Sequence, residues 1–271
     1  GEKEFPMRLS LLQYTAEASV AESEQRLYPL LEQAILDRPD VIVLPECALF
    51  LSTRQAASRE AALAMDSDPV MRLAEFARAH QVWVVVGSLI IQRGDAIVNR
   101  TLVFDRAGQL QAIYDKLHLF DVQLASGERY QESALFAAGD APTQIEIEGC
   151  QVGLSICFDL RFPKLYRHYA ASGASLMLVP AAFTRTTGAA HWHTLLRARA
   201  IENGCFVAAA AQCGDTFEGR QTYGHSLIFD PWGDCLGELS DTPGVLTQTL
   251  DLSAVNRARA QIPVIPQDRD Y

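Results

Sequence analysis

Apolar side chains recur with two alternating periods along the chain. Residues 7–13, MRLSLLQ, form an apolar run typical of a strand, and residues from about 18 to 36 carry apolar side chains at helical spacing. A β-branched run, VIVLPE at residues 41–46, is typical of a strand buried on both faces. A second helical segment near residues 68–80 precedes the apolar run VWVVVGSLI at residues 82–90. The pattern therefore predicts alternating strands and helices.

The rest of the chain continues this alternation and adds hairpins. We predict strands at residues 97–105, 110–116, 144–148, 151–157, 175–181, 205–212, 223–230, 234–238 and 245–250, and helices at residues 163–172 and 189–203. Strands in this number, joined by helical and hairpin-type connections, favour two sheets packed face to face with helices outside. Because no stretch rich in Gly, Pro or Ser separates the segments, we expect residues 1–271 to form one α/β domain.

Composition narrows the classes of partner. The chain has 271 residues, a net charge of −10 and a pI near 5.1. Binding to nucleic acid or to an anionic membrane needs a positively charged surface, so this balance argues against both. The acidic charge does not argue against a small-molecule substrate.

Cysteine usage and the N-terminus bear on the compartment. The six cysteines, at positions 47, 150, 157, 205, 213 and 235, include no CxxC pair. No segment is as long as the roughly 18 apolar residues of a membrane span, and the polar N-terminus, GEKEFP, is unlike a signal peptide. We therefore expect a reduced, cytoplasmic protein without structural disulfides, in which Met7 is the natural start and residues 1–6 are an addition ahead of it.

The stretch SICFDLRFP at residues 155–163 changes abruptly from apolar to charged. The predicted strand ends at Cys157, and Asp159, Arg161 and Pro163 follow at once. A thiol near a helix N-terminus or a cation has a lowered pKa and becomes a nucleophile. Cys157 is therefore a candidate nucleophile, although a cysteine at the end of an apolar run also fits a simple core position.

Two charged side chains also stand at the ends of predicted strands. Glu46 follows a buried run and Pro45, and a partly desolvated carboxyl there has a raised pKa and can accept a proton from a thiol or water. Lys116, within YDKLHLFD, could favour a thiolate or stabilise an oxyanion. A helix-capping acid and a solvated edge lysine are the alternative interpretations, and the pattern leaves both open.

Other catalytic and metal-binding patterns are weaker. The run GLSIC at residues 153–157 lacks the final glycine of the GxSxG serine-hydrolase turn, which argues against Ser155 as the nucleophile. His191 and His193 lie two residues apart on a predicted helix and do not share a face, so we expect no metal site there. A Cys–His dyad stays open, with three possible histidines, at positions 118, 191 and 225.

Three motifs taken together resemble a known family. LPE at Glu46, YDKLHLFD at Lys116 and SICFDLRFP at Cys157 resemble the Glu-Lys-Cys signature of the nitrilase superfamily of carbon–nitrogen hydrolases. GAAHWHTLLRARAIENGCFVAAAAQCG and YGHSLIFDPWGD are similar to the Nit subgroup, which contains ω-amidases and deaminated glutathione amidases. The resemblance runs from Met7 to the C-terminus. It implies a four-layer α-β-β-α sandwich, often paired into a dimer through the second helix layer.

The resemblance also implies a role for each matching residue. Cys157 would be the nucleophile and Glu46 the general base, and Lys116 would stabilise the tetrahedral intermediate. Glu132, in YQES, matches a second glutamate that positions substrate or assists proton transfer. The backbone N–H of Phe158 would complete the oxyanion hole.

The resemblance further implies that a substrate carboxylate lies near Arg161, Phe183 and Thr187. An arginine fork suits a carboxylate, which favours amides of dicarboxylic acids over neutral nitriles. Where relatives usually show GPAHWE, this chain has GAAHWH at residues 188–193. His193 therefore replaces an acid, and this departure leaves the substrate preference open.

These features predict an amidase that hydrolyses a small carboxylate-bearing amide through a cysteine thioester and releases ammonia. Deaminated glutathione and the ω-amide of a dicarboxylic acid are the expected substrates. Nitrile hydrolysis, processing of N-acyl or carbamoyl groups and a non-catalytic scaffold are the alternatives. We expect no metal ion and no organic cofactor, and we expect a homodimer or a higher homo-oligomer.

Overall fold

The elements of the structure follow the alternation in the sequence. The structure is a computed structural model that describes residues 6–271. Its strands are β1 (Met7–Gln13), β2 (Val41–Val43), β3 (Trp83–Arg93), β4 (Ala96–Phe104), β5 (Leu110–Asp115), β6 (Asp121–Gln123), β7 (Arg129–Gln131), β8 (Gln144–Ile147), β9 (Cys150–Leu154), β10 (Leu176–Leu178), β11 (Phe206–Ala209), β12 (Cys213–Asp215), β13 (Gln221–Tyr223), β14 (Leu227–Phe229), β15 (Cys235–Glu238) and β16 (Gly244–Leu250). Its α-helices are α1 (Val20–Ile35), α2 (Gln55–Glu60), α3 (Asp68–His80), α4 (Pro163–Ala171), α5 (Arg185–Asn203) and α6 (Ser253–Gln261).

Twelve of the strands form two six-stranded sheets with matching designs. The strand order is β16-β1-β2-β3-β4-β5 in the first sheet and β15-β14-β11-β10-β9-β8 in the second. In each sheet three neighbouring strands are parallel, β1, β2 and β3 in one and β9, β10 and β11 in the other. Antiparallel strands extend both edges. Helices α1, α3, α4 and α5 lie in the connections between the parallel strands, as parallel pairing requires.

The alternation of side chains along the strands places the two sheets face to face. Val43 and Val85 of the first sheet pack in the same apolar cluster as Leu154 of the second sheet. Ile42 points the other way and packs in a separate cluster with Leu27 of α1. Helices α4 and α5 cover the outer face of the second sheet. The predicted four-layer α-β-β-α sandwich is therefore confirmed.

Several boundaries differ from the predicted ones. Strand β9 ends at Leu154 and not at Cys157, because the Asp159 carboxylate takes the N–H of Ile156 at 2.9 Å in place of a neighbouring strand. Helix α5 begins at Arg185 and not at residue 189. The Thr184 side chain accepts the N–H of Thr187 and so caps the first turn of the helix at this earlier position. Helices α2 and α6 and the hairpins β6–β7 and β12–β13 are absent from the prediction.

Some expectations from the sequence stay untested or are met only in part. Residues 1–5 of the predicted N-terminal addition lie outside the described residues, and one domain over the whole chain stays a prediction. All six cysteines are free thiols. Within residues 6–271, none of the helices combines the length and the apolar character needed to cross a membrane.

Gly87 on β3 allows the two sheets to approach closely beside the segment that follows β2. A Cβ at this position would lie 2.0 Å from the Leu44 carbonyl oxygen and 2.6 Å from Cβ of Pro180. We expect Gly87→Ala to lower the free energy of unfolding by about 1–3 kcal/mol or more, because backbone atoms must move to admit the methyl group. Urea denaturation measures this loss.

Gly94, in the turn between β3 and β4, is the matched control. A Cβ added there meets no atom within 4 Å, so Gly94→Ala carries only the backbone strain of its positive φ of 60°. A Gly87→Ala variant as stable as wild type would contradict the close approach described here.

Candidate active site

Three of the predicted site residues lie just beyond the ends of strands. Glu46 lies three residues after β2, Lys116 directly follows β5, and Cys157 lies three residues after β9. All three line one cavity of about 600 Å³. The two sheets thus bring side chains from distant parts of the sequence around one space, as predicted from the motifs.

Glu46 is held through both its backbone and its carboxylate. Its carbonyl oxygen accepts a hydrogen bond from Gln212 Nε2 at 3.0 Å. Its Oε2 accepts from Asn99 Nδ2 at 2.9 Å, and its Oε1 accepts from the N–H of Ala182 at 2.9 Å. The residue is only 4% exposed. The carboxylate is therefore shielded from water and held by a fixed donor on each oxygen, which sets its position and leaves acceptor capacity for a further proton.

Lys116 lies between two carboxylates. Its Nζ is 3.1 Å from Glu46 Oε2 and 2.9 Å from Glu132 Oε1, and its side chain is 2% exposed. Burial alone would lower the pKa of Lys116, but the charges of Glu132 and Glu46 raise it well above its ordinary value. Lys116 is therefore an ammonium ion at neutral pH.

The two glutamates around Lys116 differ in their tendency to hold a proton. Burial opposes ionisation of Glu46, but the adjacent Lys116 outweighs burial and lowers the Glu46 pKa. At Glu132, burial and the charge of Glu46 outweigh Lys116, so the pKa of Glu132 is raised. Glu132 also accepts the N–H of Phe120 at 2.9 Å. Glu46 is thus the carboxylate that stays ionised and available to accept a proton, and the raised pKa expected for it from burial alone is not found. Glu132 contacts the ammonium from the other side.

The turn after β9 holds Cys157 in an uncommon backbone conformation. Its φ is 47°, in the left-handed region that non-glycine residues seldom adopt, and its N–H donates to the Pro180 carbonyl at 2.9 Å. The buried carboxylate of Asp159 accepts from the N–H of Ile156 at 2.9 Å and from the Tyr114 hydroxyl at 2.5 Å. A buried acid next to the cysteine therefore fixes the turn that presents it.

The thiol of Cys157 is protonated at rest. Burial raises its pKa well above its ordinary value, the charge of Glu46 adds to this, and Lys116 only partly opposes them. The lowered pKa that we expected from a neighbouring cation is therefore not found. A thiol in this state needs a base to accept its proton during attack, and Glu46 is adjacent.

The other predicted pocket residues, apart from Arg161, line the cavity. Phe158 does so, and its backbone N–H has no acceptor within residues 6–271. Phe183 and Thr187 contribute to the wall, where the Thr187 hydroxyl lies 2.5 Å from that of Thr184 at the start of α5. The N–H of Phe158 is thus an unpaired donor on a residue that lines the cavity.

Arg161 is not among the residues that line this cavity. Its Nη2 lies 3.1 Å from His191 Nδ1, and its guanidinium carbon lies 5.4 Å from the centre of the Phe183 ring. The carboxylate-binding role expected for Arg161 stays a prediction, since the guanidinium contacts these two side chains and is also close enough to Cys157 for their charges to interact.

Arg220, between β12 and β13, lines the cavity and was missed by the sequence analysis. Its Nε is buried and has no hydrogen-bond partner in the described part of the chain, and its Nη2 donates to the Ala182 carbonyl over a long 3.3 Å. Its guanidinium carbon lies 5.5 Å from the centre of the Tyr130 ring. A guanidinium with free donors suits a carboxylate. Its flanking residues, GDTFEGRQ, carry no signal that distinguishes it from a surface arginine.

His193 does not line the cavity either. Its Nε2 lies 3.0 Å from Oε2 of Glu238, the last residue of β15. The replacement of an acid by His193 therefore leaves the charges that line the cavity unchanged.

The raised pKa of Cys157 leads to a test on the thiol itself. We expect the ultraviolet absorbance of its thiolate to appear only above the ordinary thiol pKa of about 8.5. In Glu46→Gln the thiolate should appear at lower pH, because the variant removes a negative charge that raises the pKa. The difference spectrum against Cys157→Ala isolates this thiol from the other five. An unchanged or higher transition in Glu46→Gln would contradict the electrostatics described here.

Comparison with known proteins places this geometry in a family. The family model described as "Carbon-nitrogen hydrolase" matches residues 8–260. A deaminated glutathione amidase from Yersinia enterocolitica is 38% identical over 84% of this chain and 82% of its own length. An omega-amidase from Homo sapiens is 32% identical over 97% of this chain and 95% of its own length.

A solved structure agrees with these sequence matches. The crystal structure of the Caenorhabditis elegans NitFhit protein superimposes with a TM-score of 0.91 at 35% identity. The match covers 97% of this chain and 65% of that one, so this chain spans about two thirds of the larger protein. The chain belongs to the carbon–nitrogen hydrolase family of the nitrilase superfamily, enzymes that hydrolyse carbon–nitrogen bonds other than peptide bonds.

Proposed function

We propose that this chain is an amidase that hydrolyses a small carboxylate-bearing amide through a cysteine thioester. The observation that carries the proposal is the convergence of Cys157, Glu46 and Lys116 on one cavity, with the base and the ammonium in contact. The names of relatives support the choice of an amide, since they include a deaminated glutathione amidase and an omega-amidase.

The first half of the proposed reaction forms the thioester. Glu46 accepts the thiol proton while the sulfur of Cys157 attacks the amide carbon, and the C–N double-bond character is lost as the carbonyl oxygen becomes an oxyanion. The Lys116 ammonium and the free N–H of Phe158 are the donors available to that oxygen. The proton on Glu46 then passes to the amide nitrogen, and the C–N bond breaks to release ammonia.

The second half of the reaction releases the acid. A water molecule takes the place of ammonia and gives a proton to Glu46 as it attacks the thioester carbon. Collapse of the new intermediate breaks the C–S bond, and the proton returns to the Cys157 sulfur. Glu132 holds Lys116 in place throughout, because their contact at 2.9 Å does not involve a reacting atom. Side chains of this chain and water suffice for every step.

The cavity supports a substrate with its own carboxylate. Its volume of about 600 Å³ is ample for a dicarboxylic acid amide and lies within the range of pockets for larger metabolites. Arg220 lines its wall and has a buried Nε without a hydrogen-bond partner in the described part of the chain. We therefore assign the substrate carboxylate to Arg220 in place of Arg161, with Tyr130 beside it.

A homodimer is part of the same proposal. The surface beside α5 carries an apolar cleft of about 360 Å³, lined by residues of α5, α6 and the turn after β14. Three of the lining side chains are large and about half exposed, namely Ile201, Trp232 and Ile262. A second copy of the chain that packs its own helix layer against this surface would cover them.

A panel of substrates tests the proposed activity. We expect purified protein to release ammonia from α-ketoglutaramate or deaminated glutathione and to act much more slowly on simple nitriles, because the cavity offers a cationic partner for a carboxylate. Cys157→Ala should abolish release while the variant unfolds in urea like wild type. Ammonia release that survives in Cys157→Ala, or activity on nitriles alone, would overturn the proposal.

A second experiment tests the carboxylate assignment. We expect Arg220→Ala to lower kcat/KM for a carboxylate-bearing amide by about 10–100-fold, the usual effect of losing a charged hydrogen bond, and to leave neutral amides nearly unaffected. Arg185 is the matched control, since it also lines the cavity but is already paired with Asp215 at 2.7 Å. Equal losses for charged and neutral amides, or an equal effect of Arg185→Ala, would argue against the assignment.

A further inference from the structure

Two histidines and a glutamate converge on the surface beside α5, outside the cavity. His193 lies on α5, His225 lies between β13 and β14, and Glu238 ends β15. Their ligand-type atoms all lie within 4.8 Å of one another. These three side chains are named here the His–His–Glu cluster. Neither the proposed reaction nor the packing of the sheets uses them.

Both imidazoles of the His–His–Glu cluster point at the same carboxylate oxygen. His193 Nε2 lies 3.0 Å from Glu238 Oε2, and His225 Nδ1 lies 2.9 Å from that atom. The ligand atoms of a tetrahedral zinc site are about 3.3 Å apart, given metal–ligand distances of 2.0–2.2 Å. The two observed distances are within about 0.5 Å of that spacing. Insertion of an ion thus requires only small side-chain rotations at these two edges.

The backbone around the cluster is fixed before any ion binds. His225 has a φ of 57°, its N–H donates to the Ser240 carbonyl at 2.9 Å, and its own carbonyl accepts from Trp192 Nε1 at 3.0 Å. Trp192 immediately precedes His193 and is fully buried. The ring of Tyr223 stacks on that of His225 with centroids 4.3 Å apart. The segments that carry His193 and His225 are therefore joined by the Trp192 side chain.

The exposure of the cluster leaves room for the rest of a coordination shell. The side chains of His193, Glu238 and His225 are 36%, 33% and 27% exposed, so water can reach the point on which they converge. Two imidazoles and one carboxylate are a donor set that suits divalent transition ions, and Zn²⁺ commonly completes such a set with water.

We infer that the His–His–Glu cluster is a binding site for a divalent transition-metal ion of the zinc type. The ion would join α5, the β13–β14 connection and β15 at one point. Tyr223, which stacks on His225, also donates its N–H to the carbonyl of Phe183 in the cavity wall at 3.0 Å. The bound ion would therefore stabilise the segments behind that wall and, because none of the three ligands lines the cavity, take no part in the chemistry at Cys157.

The experiment titrates the tag-free, chelator-treated protein with Zn²⁺ in competition with a chromophoric chelator. We expect one site per chain in wild type and a dissociation constant at least 10–100-fold weaker, roughly the effect of disturbing a metal site, in His193→Ala, His225→Ala and Glu238→Gln. Zn²⁺ at about 100 times its dissociation constant should raise the wild-type Tm by about 5 °C or more and should not do so in the variants.

Two controls separate this site from other zinc ligands of the chain. His191→Ala removes a histidine of the same helix outside the cluster, and Cys235→Ser removes an exposed thiol of β15, so both should bind Zn²⁺ like wild type. With Co²⁺ as the probe, wild type should show visible d–d bands without the ultraviolet sulfur-to-cobalt charge-transfer band. Absence of saturable binding, a thiolate band, or undiminished affinity in all three cluster variants would overturn the inference.

Discussion

The active site depends on one buried ammonium ion that is shared by two carboxylates. Removing the Lys116 charge from water costs several kcal/mol unless partners compensate for it, and Glu46 and Glu132 supply that compensation at 3.1 and 2.9 Å. The dependence is mutual, because the charge of Lys116 is the largest of the contributions that outweigh burial and lower the pKa of Glu46. Burial is the main reason that the Cys157 pKa is raised, and the charge of the ionised Glu46 adds to it. The ion pair between Lys116 and Glu46 thus influences the protonation of all three side chains, Lys116, Glu46 and Cys157.

Periodicity in the sequence predicts the elements well where it is long and unbroken. Asp68–His80 is helical over the residues predicted, and β1 spans the predicted Met7–Gln13. Periodicity does not show how strands from two sheets are placed relative to each other. The meeting of Glu46 with Cys157 was therefore predicted from the motifs and their resemblance to a family. The raised pKa of Cys157 could not be predicted, since it requires knowing that burial and Glu46 together outweigh Lys116.

Most of the features that the sequence did not predict lie in short elements at the rim of the cavity. Strands β7, β12 and β13 have three residues each, too few to show an alternating pattern. Arg220 lies between two of them, and nothing in its flanking residues shows that its guanidinium turns toward the cavity. Arg161 differs from Arg220, because it belongs to a conspicuous motif. It contacts His191, and its contact with substrate stays a prediction.

The division of the cavity between two kinds of scaffold has a consequence for how such an enzyme diversifies. Glu46, Lys116 and Cys157 are anchored at the ends of sheet strands, whereas Tyr130 and Arg220 sit on small hairpins that belong to neither sheet. Insertions and substitutions in the hairpins can reshape the cavity mouth with little penalty to the sandwich. Substrate selectivity can therefore change over evolutionary time while the three side chains at the strand ends stay the same.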